Sequence, residues 1–244
     1  MKNKTDDGGI QIGVSIGEVD LQKKTGIVAS IGGEPVDSSI TAKQLGADIL
    51  EIRFDLLNIL TSEDAWDTIE KIRSKVNLPF IATLRSREEG GNWSGTERDR
   101  INLLLDIIPS VDAVDIELSA PEKNWVIKSA GNADVTVIVS SHKFTSTPSV
   151  KEMYAVLDRC HDSGADIAKL AMMPETMQDV LDMLQVTIDF PKPISTISMG
   201  ELGKHSRIIS PCYGSVLTYG SVTSAVAPGQ LRIDKLKECM EMVL

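Results

Sequence analysis

The sequence predicts an α/β fold, a (β/α)8 TIM barrel in which parallel strands alternate with helices. Short apolar or β-branched runs alternate along the chain with longer segments of helical period, a pattern typical of parallel α/β folds. Charged residues recur where the predicted strands end, which is where such barrels collect their reactive groups. The length of 244 residues suits one barrel domain of about 200–250 residues.

The predicted barrel strands are eight apolar runs: residues 26–31, 48–53, 80–83, 113–117, 135–140, 166–170, 193–198 and 216–219. The predicted helices lie between and after them: residues near 41–45, 62–76, 96–108, 121–130, 149–163, 175–185, 202–209 and 230–242. Ser62 and Ser149 are predicted N-caps because acidic residues follow them within three positions. An open doubly wound sheet is the structural alternative, but no GxGxxG motif follows the first strand.

The chain before the barrel is predicted to add a strand over residues 10–15, as half of a β-hairpin that covers the barrel floor. Residues 1–9 have a basic start but no apolar segment of a signal peptide, so we expect a disordered tail. The last predicted helix nearly reaches the C-terminus, and we expect residues 1–244 to form a single catalytic domain without a fused partner.

Composition narrows the classes of partner. The net charge is −10 and the basic residues are scattered, which argues against nucleic acid or an anionic membrane but not against a small anionic substrate. No apolar run approaches the roughly 18 residues of a membrane span. Cys160, Cys212 and Cys239 lie far apart without a CxxC motif, which indicates reduced thiols in a cytoplasmic protein and no metal site.

Two strands carry pairs of charged residues at alternate positions. Glu51 and Arg53 share one face of the second predicted strand, and Asp115 and Glu117 share one face of the fourth. The isoleucine between the members of each pair faces the opposite side. We therefore expect these charges to point into one common space.

Lys169 is the lone cation of the sixth predicted strand, which is otherwise apolar on both sides of it. Burying a lysine without a partner is costly and favours the neutral amine, which is the form that attacks a ketone. A structural lysine paired with Glu51 or Glu117 explains the position equally well.

His142 follows the fifth predicted strand, next to the strand of Lys169. Neighbouring strands lie about 4.8 Å apart, so both side chains can reach the same substrate atom. A lone histidine is more often structural or solvent-facing. His161 and His205 fall in predicted helices and are expected at the surface, and Lys143 is expected to point away from His142.

Two loops are informative only in context. Residues 85–91 combine Arg85 and Glu89 with two glycines, which allow a tight turn or close approach to a ligand. A solvated charged loop is the simpler interpretation. Residues 227–230, which end in Gln230, indicate by themselves no more than a turn.

These positions together resemble type I 3-dehydroquinate dehydratase, a family of Schiff-base barrel enzymes of the shikimate pathway. The resemblance runs from about residue 27 to the C-terminus. The motifs follow the order of the family: Glu51-Ile-Arg53, Arg85-Ser with Glu89-Gly-Gly91, Ser141-His142, Ala168-Lys169, Met199-Gly200 with Ser206-Arg207, and Ala227-Pro-Gly-Gln230. Each motif alone is weak, but their shared order favours the catalytic interpretation of Lys169 and His142.

The resemblance implies a cytoplasmic hydro-lyase that converts 3-dehydroquinate to 3-dehydroshikimate in aromatic amino acid biosynthesis, without metal or organic cofactor. Lys169 is expected to form an imine with the C3 ketone. His142 is expected to remove a C2 proton and later protonate the leaving C1 hydroxyl, with Glu89 orienting the imidazole. Arg207 is expected to bind the carboxylate. The residues expected to hold the substrate hydroxyls are Glu51, Arg53, Arg85 and Gln230.

The chain departs from the family at Val226, where a serine usually precedes Ala-Pro-Gly-Gln. A hydroxyl contact from this loop is therefore in doubt, and Ser224 is a partial replacement. Two other functions stay open. A small Schiff-base aldolase acting on a sugar phosphate needs a glycine phosphate cradle, whereas Arg207 and Gln230 suit a carboxylate and hydroxyls better. A non-catalytic metabolite-binding barrel predicts binding without turnover. The sequence does not determine the oligomeric state, and a homodimer is one option.

Overall fold

The computed structural model describes residues 13–244. In this part of the chain ten strands are numbered in order: β1 Ser15–Ile16, β2 Val19–Asp20, β3 Gly26–Ile31, β4 Ile49–Arg53, β5 Phe80–Thr83, β6 Ala113–Glu117, β7 Thr136–Lys143, β8 Ile167–Met172, β9 Ile194–Ser198 and β10 Leu217–Ser221. Nine α-helices accompany them over the same residues: α1 Pro35–Leu45, α2 Ser62–Arg73, α3 Glu97–Ile107, α4 Lys123–Asn132, α5 Val150–Asp162, α6 Met177–Asp189, α7 Gly200–Gly203, α8 Ser206–Ile209 and α9 Ile233–Val243.

The eight strands β3 to β10 are parallel and form a nearly closed barrel in the order β10-β3-β4-β5-β6-β7-β8-β9. The seam between β9 and β10 is joined by a bridge between Ile194 and Ser215, and the Val216 N–H donates to the Ile194 carbonyl at 2.8 Å. The predicted (β/α)8 barrel is confirmed, and the open-sheet alternative is wrong.

A short hairpin precedes the barrel, as predicted. Strands β1 and β2 pair antiparallel around Gly17, and the Thr136 hydroxyl donates to the Ser15 carbonyl at 2.6 Å. Ile16 and Leu21 are buried with the residues that begin the barrel strands, so the hairpin covers the amino-terminal end of the barrel. Residues 10–12 of the predicted strand and the predicted tail over residues 1–9 lie outside the described residues. The assignment of 1–244 to one domain stays a prediction.

Two apolar layers hold the barrel together. The larger lies between the strands and the surrounding helices and includes Ile52, Ile116 and Leu170. The smaller fills the barrel interior near the hairpin and includes Ile81 and Ile138. Because strand residues alternate between these layers, the polar partners of Ile52 and Ile116 point into the barrel, as the sequence predicted.

Most helix boundaries differ from the prediction by a few residues, and the starts of α1 and α2 have a clear physical reason. Helix α1 begins at Pro35 rather than near Thr41, since a proline fits the first turn, where its missing N–H costs nothing. The N-cap of α2 is Thr61, not Ser62, because the Thr61 hydroxyl accepts the Asp64 N–H. The capping box of Ser149 and Glu152 is present as predicted.

The predicted helix over residues 202–209 is instead two short helices, α7 and α8. The Ser206 hydroxyl accepts the Ser198 N–H at 3.1 Å, and a Cβ at Gly203 would lie 2.3 Å from the Ser198 carbonyl oxygen. This segment is therefore fixed against the end of β9 at two points, which interrupts a continuous helix. No helix within residues 13–244 is long and apolar enough to cross a membrane.

Candidate active site

A cavity opens at the carboxyl ends of the barrel strands, with about 670 Å³ of empty space that includes its solvent-open mouth. This end of the barrel is where enzymes of this fold bind their substrates. All of the site residues predicted from the sequence line it: Glu51, Arg53, Arg85, Glu89, His142, Lys169, Arg207 and Gln230. The structure therefore brings side chains from distant parts of the chain into one space.

Lys169 lies in the middle of β8 and is 4% exposed. Its Nζ lies 3.0 Å from Asp115 Oδ2 and 3.5 Å from Glu51 Oε1. The Tyr219 ring lies beneath the amine, with its centroid 4.0 Å from Nζ. The expectation of a buried lysine without a partner is wrong, and the alternative ion pair is present with Glu51 and with Asp115 rather than Glu117.

Asp115 joins this lysine to a wider set of buried charges. Its Oδ1 accepts Arg85 Nη2 at 2.8 Å and the Ser140 hydroxyl at 2.6 Å. Arg85 Nη1 also lies 3.1 Å from Glu117 Oε1. The neighbouring guanidinium and ammonium hold the pKa of the Asp115 carboxyl well below its usual range, despite burial that acts to raise it.

Arg53 is held in one orientation by a planar, two-bond pair with Asp55. Its Nε and Nη2 donate to the two carboxylate oxygens at 2.9 and 2.8 Å. Glu51, two residues earlier on the same face, accepts the hydroxyls of Ser30 at 2.8 Å and Thr83 at 3.2 Å. Both side chains are thus positioned by protein partners.

His142 lies in β7, in register with Ala171, while Ser140 is in register with Lys169. The imidazole therefore sits one layer above the lysine on the adjacent strand. Glu89 Oε2 accepts the His142 backbone N–H at 2.9 Å and lies 2.9 Å from Nδ1. Since this oxygen is an acceptor for the backbone, Nδ1 is the matching donor, which leaves Nε2 as the basic nitrogen.

Burial shifts both members of this pair toward neutrality. The pKa of His142 is well below its ordinary value because the ring is desolvated, and the positive charges of Arg85 and Lys169 lower it further. The pKa of Glu89 is raised, also chiefly by burial. At neutral pH the imidazole is therefore uncharged and able to accept a proton.

The glycines after Glu89 are required by the backbone. Gly90 has φ +80°, and a Cβ there would lie 2.4 Å from the Phe144 ring. A Cβ at Gly91 would lie 2.0 Å from the Arg85 carbonyl oxygen. Both glycines allow the loop to fold back tightly enough to bury Glu89 beside His142.

Arg207 has no carboxylate partner within residues 13–244. Its guanidinium donates to three backbone carbonyls: Gly229 at 3.0 Å, Pro228 at 2.9 Å and Tyr219 at 3.2 Å. The side chain is buried, and desolvation lowers its pKa to about 10. The predicted turn over residues 227–230 thus holds a buried cation whose charge is not neutralised.

Gln230 connects this turn to the opposite wall. Its Oε1 accepts the Val226 N–H at 2.8 Å, and its Nε2 donates to the Ser30 hydroxyl at 3.2 Å. Val226 lines the cavity, but Ser224 is exposed and is not among the lining residues. The suggested replacement by Ser224 is therefore wrong, and Ser30 is the hydroxyl nearest to Gln230.

The family model described as type I 3-dehydroquinase matches residues 33–243. The chain belongs to this family. It is 52% identical over 232 residues to the 3-dehydroquinate dehydratase of Methanococcoides burtonii, which covers 94% of this chain and 99% of that protein. It is 48% identical over 238 residues to that of Methanosarcina mazei, with 93% and 98% covered.

Solved structures agree with this assignment to the type I 3-dehydroquinase family. The type I 3-dehydroquinate dehydratase from Clostridium difficile, solved with covalently modified comenic acid, has a TM-score of 0.88 at 29% identity. The alignment covers 95% of this chain and 97% of that one. The enzyme from Geobacillus kaustophilus has a TM-score of 0.85, also at 29% identity, with 90% and 91% covered.

Several residues of this type I site were not singled out from the sequence. Asp115 was noted only as a strand charge, and the partners Tyr219, Asp55 and Ser119 were not noted. Asp115 carried a usable signal, since it shares a strand face with Glu117. Asp55 also carried one, because it lies only two residues after its partner Arg53. Tyr219 and Ser119 depend on contacts between distant segments, for which the sequence gives no local signal.

Lys143, His161 and the three cysteines do not line the cavity. Lys143 is exposed, as predicted. His161, expected at the surface, is half-buried: its ring stacks on Phe190 at 5.7 Å and reaches the Pro193 carbonyl at 3.1 Å. Within residues 13–244 no group of His, Cys, Asp and Glu has the arrangement of a metal site, and the three cysteines are free thiols.

Proposed function

We propose that this chain is a hydro-lyase that dehydrates 3-dehydroquinate to 3-dehydroshikimate through a Schiff base on Lys169. The observation that carries the proposal is the pairing of a buried lysine on β8 with a neutral histidine on β7, both lining one cavity. Membership of the type I 3-dehydroquinase family supports the choice of substrate. The reaction belongs to the shikimate pathway of aromatic amino acid biosynthesis.

In the first step one proton of the Lys169 ammonium passes to the C3 ketone oxygen as the freed amine attacks C3. A second proton of the same nitrogen converts the carbinolamine hydroxyl to water, which leaves, and a protonated imine remains. This cation occupies the place of the ammonium, so Asp115 at 3.0 Å and Glu51 at 3.5 Å stabilise it through the same charges. The protonated imine withdraws electrons from the bond between C2 and its proton, which makes that proton acidic.

In the second step His142 acts as general base and then as general acid. Nε2 removes the C2 proton, and the imine becomes an enamine. The enamine expels the C1 hydroxyl, which takes a proton from His142 and leaves as water. Hydrolysis of the conjugated imine releases the product and restores the Lys169 amine. Glu89 keeps the imidazole oriented through Nδ1, at 2.9 Å.

Recognition of the substrate divides between its carboxylate and its hydroxyls. Arg207 supplies the carboxylate site, because its buried charge contacts only backbone carbonyls among the described residues and guanidinium binds carboxylate in a planar, two-bond geometry. The groups proposed to hold the hydroxyls are Glu51, Arg53, Arg85 and Gln230.

Turnover needs no metal or organic cofactor in this scheme, because the imine supplies the electron sink. We therefore expect full activity in a chelator, and activity lost in EDTA but restored by a divalent ion argues against the scheme. A cytoplasmic location and a homodimer also remain proposals. Sedimentation analysis at micromolar protein tests the second.

The direct test is incubation with 3-dehydroquinate while the conjugated enone product is followed in the ultraviolet. Borohydride added during turnover is expected to inactivate the enzyme and to leave a substrate-derived mass on the peptide that contains Lys169. Binding of dehydroquinate without enone formation indicates instead a metabolite-binding barrel. Turnover of a sugar phosphate in place of dehydroquinate indicates an aldolase.

A further inference from the structure

Ser119 lies two residues beyond the end of β6, and its hydroxyl donates to Glu89 Oε1 at 2.5 Å. The other carboxylate oxygen of Glu89 receives the N–H and approaches Nδ1 of His142, each at 2.9 Å. Within residues 13–244 no other side chain or N–H is bonded to Glu89 Oε1. The three side chains therefore form a relay in which each oxygen of one carboxylate has its own partner.

We propose that Ser119 is a positioning residue of the dehydration reaction, which orients the Glu89 carboxylate toward His142. The proposal rests on the proposed function. Ser119 is exposed and does not line the substrate cavity. It faces a separate groove on the outside of the barrel, together with Arg87, Trp93 and Pro121. Its hydroxyl can therefore affect the reaction only through Glu89.

The charges around Glu89 define what the hydroxyl does. Burial raises the pKa of the Glu89 carboxyl, and the negative charge of Glu117 raises it further. The hydrogen bond from Ser119 is the largest influence that lowers this pKa, and the charge of Arg85 is the next. The pKa of His142 is lowered by burial. When Glu89 takes up a proton at falling pH, its carboxyl loses the negative charge that faces His142 Nδ1 at 2.9 Å. Loss of the Ser119 bond must move this protonation to higher pH.

Two variants of nearly equal shape separate the hydroxyl from the space it fills. Ser119→Thr keeps a hydroxyl, whereas Ser119→Val places a methyl there and keeps water from taking the position. The kcat/KM profile of Ser119→Thr is expected to match that of the parent. The acid limb of the Ser119→Val profile is expected to lie about one pH unit higher than that of the parent. At pH values below the limb its kcat/KM should therefore be about tenfold lower than that of the parent, and at pH values above the limb it should be unchanged.

Two results overturn the proposal: identical acid limbs for Ser119→Val and Ser119→Thr, or a loss of kcat in Ser119→Val that is the same at every pH. The second result indicates a merely structural side chain. A titration of the Glu89 carboxyl by carbon NMR in the two variants needs no turnover. The difference between the two titrations decides the role of Ser119 even if the parent does not dehydrate dehydroquinate. Failure of the parent to dehydrate it contradicts the proposed function and not the role of Ser119.

Discussion

The two sides of the cavity differ in how they hold positive charge. On the side built by β4 to β8, here the paired side, Arg53, Arg85 and Lys169 each contact at least one carboxylate. On the side built by α8, β10 and the turn over 227–230, here the open side, Arg207 contacts only backbone carbonyls among the described residues. The paired side is neutralised before a ligand arrives, whereas the open side holds a charge that an anion would neutralise.

This difference has an energetic basis. Removing one partner of a buried ion pair typically costs about 3–5 kcal/mol, because the remaining charge is left uncompensated. The cations of the paired side are therefore fixed in position by the fold. Arg207 already bears the cost of desolvation, which lowers its pKa to about 10. A bound carboxylate would offset that cost, so we expect the open side to give affinity and the paired side to give orientation.

The largest effect is expected at Lys169, on the paired side. Lys169→Ala and Lys169→Arg should both abolish turnover, because neither can form an imine. Lys169→Arg keeps a positive charge between Asp115 and Glu51. It therefore separates the loss of the amine from the effect of leaving these two carboxylates without a cationic partner. Both variants should still bind dehydroquinate in calorimetry, since the contacts of the open side remain.

The exposed Lys143 provides the matched control for labelling. Lys143→Ala should keep its activity and its borohydride label, whereas Lys169→Ala should lose both. A label on Lys143, or turnover that persists in Lys169→Arg, contradicts the Schiff-base assignment.

The next effect is expected at His142. General acid–base groups typically contribute about 10²–10⁴-fold, and His142→Ala should lose at least that range in kcat. The imine still forms on Lys169, and it should accumulate because the later steps are blocked. Mass spectrometry of this variant with substrate should therefore show a stable adduct.

Glu89→Gln should cost less than His142→Ala, because the base survives and loses only its orienting partner. A larger loss in Glu89→Gln indicates that Glu89 itself transfers the proton. Near-normal turnover in His142→Ala makes the histidine structural.

A smaller effect is expected on the open side. Arg207→Gln removes the charge and should raise KM about tenfold to a hundredfold, since hydrogen bonds to charged groups contribute about 1.5–3 kcal/mol. The affinity for an analogue that lacks the carboxylate should not change. Equal losses for the acid and for that analogue refute the assignment of the carboxylate to Arg207.

The sequence predicts the paired and open sides unequally well. Strand alternation alone places Glu51, Arg53 and Glu117 on the interior face, because the period of two is strict in a strand. Nothing local predicts that Lys169 meets Asp115, since this depends on the register of strands more than fifty residues apart, or that Arg207 lacks an acidic partner. The resemblance to the family supplied Arg207 and Gln230, and the bare turn pattern did not.

Tyr219 joins the two sides, and its variants are expected to have the smallest effect. Its ring centroid lies 4.0 Å from Lys169 Nζ, while its carbonyl accepts Arg207 Nη1 at 3.2 Å. Its hydroxyl is buried without a hydrogen-bond partner in the described part of the chain. Burial, with the charges of Glu51 and Asp115, raises the pKa of this phenol well above its usual value.

Tyr219→Phe keeps the ring under the amine and removes only the unpaired hydroxyl. We expect unchanged kcat/KM and an unfolding free energy higher by about 1 kcal/mol, because an unsatisfied buried polar group is costly. Tyr219→Leu also removes the cation–π contact, worth about 2 kcal/mol when desolvated, and should slow imine formation in borohydride trapping. If Tyr219→Phe slows the reaction as much as Tyr219→Leu, the hydroxyl acts on the reacting atoms. The paired side then includes a proton donor in addition to its fixed charges.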